Sequence, residues 1–230
     1  MSGLEMRQAR KGRGWTQNDL ARKLGVSQGY MSLLEHGSRR VPRSLAHKLV
    51  SSLGLPPDAL PVNPETGPLP SDRLAAALAS LGYPKFSYLR RRVRLNPAEL
   101  MARALRSKSL EARVVEALPW VLVRYPDVDW QWLLQEAKQH DFQNRLGFVV
   151  TFAKELAARH RESAVVVKLE EVERSLADAR LLKEDAFAGD ALTDAERRWL
   201  RTNRTPEAAY WNVLTNLSVE ALNDDSRRLA

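Results

Sequence analysis

The sequence predicts an all-α chain, a small N-terminal helical domain followed by a larger C-terminal helical one. Three observations lead there. Apolar residues recur with the spacing of one helix face along most of the 230 residues. Strand-like alternation is nearly absent, even around the β-branched run Val165–Val167. Residues 54–70 hold six prolines and two glycines, and proline both fixes φ and lacks an amide donor, so no helix or central strand crosses them. The expected division is therefore 1–55 for the first domain, 56–71 for a proline-rich linker and 72–230 for the second domain.

The elements follow in order. Residues 3–13 predict a first helix whose weakly apolar face carries Met6 and Ala9. Thr16 is the N-cap of a second, with Asp19 three residues on to stabilise its start. Leu20, Ala21 and Leu24 form its buried face, and Gly25 ends it, because glycine takes positive φ without a Cβ penalty. Val26 packs in the angle, Ser27 caps a third helix with Met31 and Leu34 inward, and Gly37 ends that one. Two short helices joined by a three-residue turn containing glycine make a helix-turn-helix. Leu45, Leu49 and Leu53 predict a fourth helix over 44–53.

Beyond the linker, Leu74, Leu78 and Leu81 mark a helix ended by Gly82, Tyr83 and Pro84. Pro97 opens the next, with Leu100, Ala104 and Leu105 inward. A helix over 110–125 contains Pro119, where a kink is expected. Helical patterns continue over 130–140, 145–160 and 165–182. After a softer break at 183–194, two last helices over 193–202 and 205–217 are capped by Thr193 and Thr205, with Pro206 in a first turn.

Composition bounds the function. Hydrophobic residues at 44% and charged residues at 28% are ordinary globular values. No apolar run approaches the ~18 residues of a membrane span, and the opening MSGLEMRQARKGRG lacks the apolar core of a signal peptide. Cysteine is absent, which removes disulfides, thiolate zinc sites and cysteine nucleophiles together. A cytoplasmic location and no membrane association are expected. The net charge is +8, divided as +12 over residues 1–110 and −4 over 111–230. A basic front end points to a polyanion, nucleic acid first; a merely solvated basic surface is the plain alternative.

Trp15-Thr16-Gln17, Ala21, Gly25-Val26-Ser27 and Leu34-Glu35-His36-Gly37 together resemble the helix-turn-helix of the phage repressor/Cro-like (XRE) regulators. That resemblance implies roles. The helix after Ser27 would lie in the major groove of double-stranded DNA. Gln28 suits a bidentate contact with adenine, Gly29 a close approach, Tyr30 a thymine methyl or a phosphate, and Ser32 a further base contact. Gln17, Ser27, Arg39, Arg40 and Arg43 would hold phosphates, Gln17 also bracing Gln28. Arg10 and Glu35 match an internal salt bridge. One helix-turn-helix reads too few base pairs to find a site among about 10⁶ competitors, so a homodimer on a pseudo-palindromic operator is expected, with residues 70–230 supplying the contact.

Three further features invite a reading. Arg90, Arg91, Arg92 and Arg94, interleaved with Phe86, Tyr88 and Leu89, form a candidate second basic patch for phosphates or an acidic protein, against a solvated face as the plain alternative. Trp120, Tyr125, Trp130 and Trp132 crowd one stretch with Phe142 and Phe148; such aromatics are core first and a partner interface second. The stretches WVLVRYPDVDW and QNRLGFVV resemble antitoxin-type regulators paired with a nucleotidyltransferase-type toxin, which implies a cognate toxin protein as partner. A catalytic constellation is missing: there are four histidines, His36, His47, His140 and His160, and no phosphate-loop, nucleophile-elbow or zinc-helix motif. No enzyme activity, metal or cofactor is expected. The readings to weigh are a repressor with an antitoxin-like partner domain, a regulator holding a small apolar ligand among its C-terminal helices, and a nucleic-acid enzyme targeted by its N-terminal domain.

Overall fold

The computed structural model describes residues 2–63, 67–90, 93–107, 110–187 and 192–218. It is mainly helical, as the periodicity predicts, and its contacts separate two compact units. The first is Met1–Asn63 with Arg94–Asn96; the second is Pro64–Val93 with Pro97–Ala230. No helix among the described residues is long and apolar enough to cross a membrane.

In the first unit, α1 (Gly3–Gly12), α2 (Gln17–Leu24), α3 (Gln28–Glu35) and α4 (Arg43–Leu53) enclose one core. Met6, Leu20, Ala21, Leu24, Met31, Leu34, Leu45, Leu49 and Leu53 fill it. The caps of α1 and α2 are local. Ser2 and Thr16 each close a capping box with Glu5 and Asp19, and Gly25 ends α2 at φ 75°. Cations finish the other ends: Lys48 Nζ donates to the Leu24 carbonyl and Arg13 Nε to that of Leu53.

The expected linker begins later than residue 56. A single 3-10 turn, Pro57–Ala59, lays Leu60 against Ala46 and Val50. The Asn96 amide then donates to the carbonyls of Asp58 at 2.9 Å and Leu60 at 2.6 Å. Proline prevents helix there but not packing, and one well-placed leucine is enough to fold the segment onto the core. Residues 56–63 therefore belong to the first unit.

The second unit is built around α9 (Gln143–Arg159), whose residues Leu146–Ala153 are all buried. A helix of that kind sits at the centre of its domain, and here α7 (Ala112–Arg124) and α10 (Ser163–Ala177) pack on it. The remaining helices are α5 (Ser71–Leu81), α6 (Pro97–Leu105), α8 (Trp130–Gln139), α11 (Asp194–Asn203) and α12 (Pro206–Tyr210). Helix α7 runs through Pro119, and Thr193 and Thr205 cap α11 and α12 as expected.

Three sequence expectations need correction here. The pattern over 165–182 is helical only to Ala177. The last helix stops at Tyr210: Asn212 takes φ 51°, and the chain then runs extended as β2 (Val213–Leu214), parallel to β1 (Asp185–Ala186). Trp120 and Tyr125 are buried, Tyr125 donating from its hydroxyl to the Leu81 carbonyl at 2.8 Å, so they are core and not a partner interface. Trp130 and Trp132 are half-buried, and Trp130 Nε1 bonds the Pro126 carbonyl at 2.9 Å.

The turn after α12 carries the long-range lock of this unit. Trp211 is fully buried and its Nε1 donates to Thr151 Oγ1 at 2.9 Å. The Thr151 hydroxyl lies 2.5 Å from Glu173, which also pairs with Lys154. The Trp211 ring lies flat against Gly147 of α9, where an added Cβ would meet ring carbons at 2.4 to 2.5 Å. Gly147→Ala, which helix propensity alone would favour by up to ~1 kcal/mol, is therefore expected to destabilise the protein by about 1–3 kcal/mol through overpacking. Chemical denaturation of the full chain checks this; a stabilised variant would show that Trp211 is not seated there.

Candidate nucleic-acid interface

The site is organised by one buried ion pair. Arg10 on α1 forks onto Glu35 at the end of α3, Nε to Oε1 at 2.5 Å and Nη2 to Oε2 at 2.9 Å. Its remaining nitrogen, Nη1, donates to the Trp15 carbonyl at 2.6 Å. Burial pushes the Glu35 carboxyl up, but the bonds from Arg10 and Gln17 and the charges of Arg10 and Arg7 outweigh it and hold it below the ordinary value of 4.5. The same pairing raises the Arg10 guanidinium further above its usual range.

From Glu35 a chain of side chains leads to the surface. Gln17 Nε2 donates to Glu35 Oε2 at 2.9 Å, and Gln17 Oε1 accepts from Gln28 Nε2 at 2.7 Å. Gln17 thus braces Gln28, as its place at the start of α2 suggested. It is half-buried, with both ends of its amide engaged inside the protein. Gln28 keeps its Oε1 and one amide N–H for a partner, which is the acceptor and donor pair that adenine N6 and N7 require. Ser27 Oγ accepts from the Tyr30 amide at 3.1 Å, so its hydroxyl proton remains able to point outward.

At about 100° per residue, the exposed arc of α3 carries Gln28, Ser32, His36, Gly29 and Leu33 in that angular order. Gln28, Gly29, Leu33 and His36 are exposed and Ser32 is half-buried. Ser32 closes back on its own turn, its Oγ 3.3 Å from His36 Nδ1. Tyr30 is a correction. Two residues beyond Gln28 it has turned to the far side of the helix, where it is half-buried against the core with Arg39 5.8 Å over its ring. Its ring lies beside Arg39, on the side of α3 away from Gln28. Leu33, 42% exposed, stands on the outward arc instead; sequence reading passed over it because leucine at helical spacing looks like core.

Arg39, Arg40 and Arg43 are exposed beyond the end of α3, where phosphate contacts were expected. The candidate second basic patch lies only partly within the described residues. Arg94 belongs to the first unit and hydrogen-bonds Ser51 Oγ, Arg90 is an exposed residue of the second, and Arg91 and Arg92 lie outside the described residues.

The second unit has a cleft of about 460 Å³ lined by Leu105, Arg106, His140, Asp141, Phe142, Arg145, Leu181, Lys183, Glu184 and Asp185. Seven of those ten residues are ionisable. Arg145 is spent on structure, forked onto Asp185 at 2.6 Å and bonded to the carbonyls of Leu105 and Ser107.

The fold and site of the first unit define a helix-turn-helix domain. Residues 3–61 match the family described as helix-turn-helix domain. Over 56 residues, 24% of this chain, the sequence is 41% identical to uncharacterized HTH-type transcriptional regulators of Mycobacterium bovis and of two Mycobacterium tuberculosis strains. That stretch spans 22% of the length of each of these relatives. No solved structure matches the chain.

The ion pair makes a pH prediction. Because the folded-state pKa of Glu35 is lowered, its contribution to stability is fully present above about 4.5, the ordinary value, and is lost as pH falls through the depressed one. Arg10, whose pKa is raised, stays charged throughout this window. Arg10→Ala strands Glu35 without its partner and is expected to cost about 3–5 kcal/mol at neutral pH, while reducing the acid sensitivity of the first unit. Thermal unfolding of both proteins from neutral into acid tests it, and an unchanged pH dependence would contradict the assignment.

Proposed function

We propose that the chain is a sequence-specific transcriptional repressor that binds double-stranded DNA through α3. The carrying observation is the relay Arg10–Glu35–Gln17–Gln28, which holds one adenine-competent amide at the start of an exposed helix. The basic front end and the exposed arginines after α3 supply the phosphate-directed charge. The relatives carry the printed description of HTH-type transcriptional regulators, which favours the same reading.

One helix-turn-helix reads too few base pairs to find a site among about 10⁶ competitors. The proposed solution is a homodimer on a pseudo-palindromic operator, with half-sites about 34 Å apart or a multiple of it. The second unit is proposed to supply the dimer contact and to bind a cognate toxin protein, as in an antitoxin-type autoregulator acting in the cytoplasm. Its net negative charge beyond residue 110 and the exposed Leu182, Trp199 and Tyr210 support a protein partner over a buried apolar ligand.

Footprinting on the gene's own upstream region tests the DNA reading. Gln28→Ala is expected to weaken specific binding by about 1–3 kcal/mol and to leave non-specific binding unchanged. Arg39→Ala and Arg40→Ala should weaken binding to every sequence and flatten its salt dependence. A footprint indifferent to Gln28→Ala would remove that residue from base readout. Light scattering checks the dimer: a monomer protecting a single half-site would overturn it. Co-expression with the product of the neighbouring reading frame checks the partner, which should co-purify as a stable complex.

A further inference from the structure

We infer that the cleft of the second unit binds a small phosphate monoester whose organic part carries hydroxyl groups, the chemistry of a sugar phosphate. The inference goes beyond the DNA-binding reading and does not rest on it. The cleft encloses about 460 Å³, the size of a small-molecule site, with room for more than a bare inorganic anion. Its walls are fastened before any ligand arrives. Buried Asn144 holds both backbone groups of Leu181 at 2.8 Å, and Arg145 ties Asp185 to the end of α6. Glu184 is gripped by Arg201 at 2.7 to 3.1 Å. Two of the acids on the cleft are thus already matched by arginine and do little to repel an anion.

A buried carboxylate behind the wall points to the ligand's charge. Glu136 of α8 is buried, and its Oε2 has no hydrogen-bond partner among the described residues. Arg106 Nη1 lies 3.7 Å and His140 Nε2 3.5 Å from that oxygen, both beyond ordinary hydrogen-bond length. A purely structural cluster would close those bonds, because an unmatched buried acceptor costs stability. Arg106 and His140 both line the cleft, so Glu136 acts as a backing charge that keeps the two at its wall. Lys183 adds an exposed ammonium without a partner among the described residues. Three nitrogen-bearing side chains on one cleft suit the three terminal oxygens of a phosphate monoester.

Asp141 supplies the opposite chemistry. It is exposed at φ 55°, and its carboxylate has no partner among the described residues. A carboxylate is acceptor-only, so beside a phosphate site it takes protons from ligand hydroxyls and turns away a second anionic group.

The probe is ribose 5-phosphate, with ribose and inorganic phosphate as its separate parts, titrated calorimetrically into the full chain at constant ionic strength. Ribose 5-phosphate should bind more tightly than inorganic phosphate, and ribose alone should not bind. Lys183→Ala should weaken ribose 5-phosphate by about tenfold. Asp141→Asn, which keeps a residue suited to positive φ, should erase the advantage of ribose 5-phosphate over inorganic phosphate. Both positions are exposed, so both variants should melt with the wild type. If ribose 5-phosphate does not bind, or binds no better than inorganic phosphate, or is indifferent to Lys183→Ala, the inference fails. Footprinting of the operator is a separate measurement, so the DNA reading stands or falls without it.

Discussion

The Arg10–Glu35 pair is the constraint on which the first unit depends. Three guanidinium nitrogens are used at once, two on the carboxylate and one on the Trp15 carbonyl. α1, the turn before α2, and the end of α3 are thereby fixed to one another by directional bonds, where an apolar core fixes only proximity. Replacing such a pair by well-fitted hydrophobic side chains often leaves stability unchanged or improves it. Stability alone therefore does not account for it. What it provides is a carboxylate oxygen aimed at Gln17, and through Gln17 a fixed orientation for Gln28. A side chain already held in one rotamer loses less entropy on meeting a partner.

The second unit solves a different problem. Its central helix is buried on every side along Leu146–Ala153, so other segments must cover that stretch, and the cover includes residues distant in sequence. Trp211 arrives from beyond α12 to lie on Gly147, and the Thr151 hydroxyl satisfies its indole nitrogen. Arg145 fastens β1 to the end of α6 through Asp185 and two carbonyls. These polar contacts are almost all side chain to a defined partner, which gives the cover one registry over an otherwise uniform apolar surface.

What was legible in the sequence was what is decided locally. Thr16 with Asp19, Ser27, Gly25 and the leucine spacing of α4 each determine their own turn or helix, and the first unit follows from them. The Arg10–Glu35 bridge was different: its partners are 25 residues apart, and a family resemblance, not spacing, pointed to it. Angular placement on a short helix was half legible. Gln28 and Ser32 stand on the outward arc as expected, whereas Tyr30 turns toward the core, as 100° per residue requires. The strand pair and the seating of Trp211 were not legible, since two-residue strands carry no alternation and their pairing is set by packing far away in the chain. The prolines of 56–63 were read as a spacer because proline signals where helices stop, not whether a segment packs.

The Asn96 clasp bears on the order in which the chain can fold as it is made. The first unit is not finished when Asn63 has been synthesised; the amide that holds the carbonyls of Asp58 and Leu60 belongs to a residue further along the chain. At about 5–20 residues per second, that residue emerges roughly 2–7 s later, and by then all of α5 has left the ribosome. During that interval Leu60 and its turn depend on apolar contact and the turn's own backbone bonds, and a nascent chain halted before residue 96 carries a helix-turn-helix that lacks this clasp.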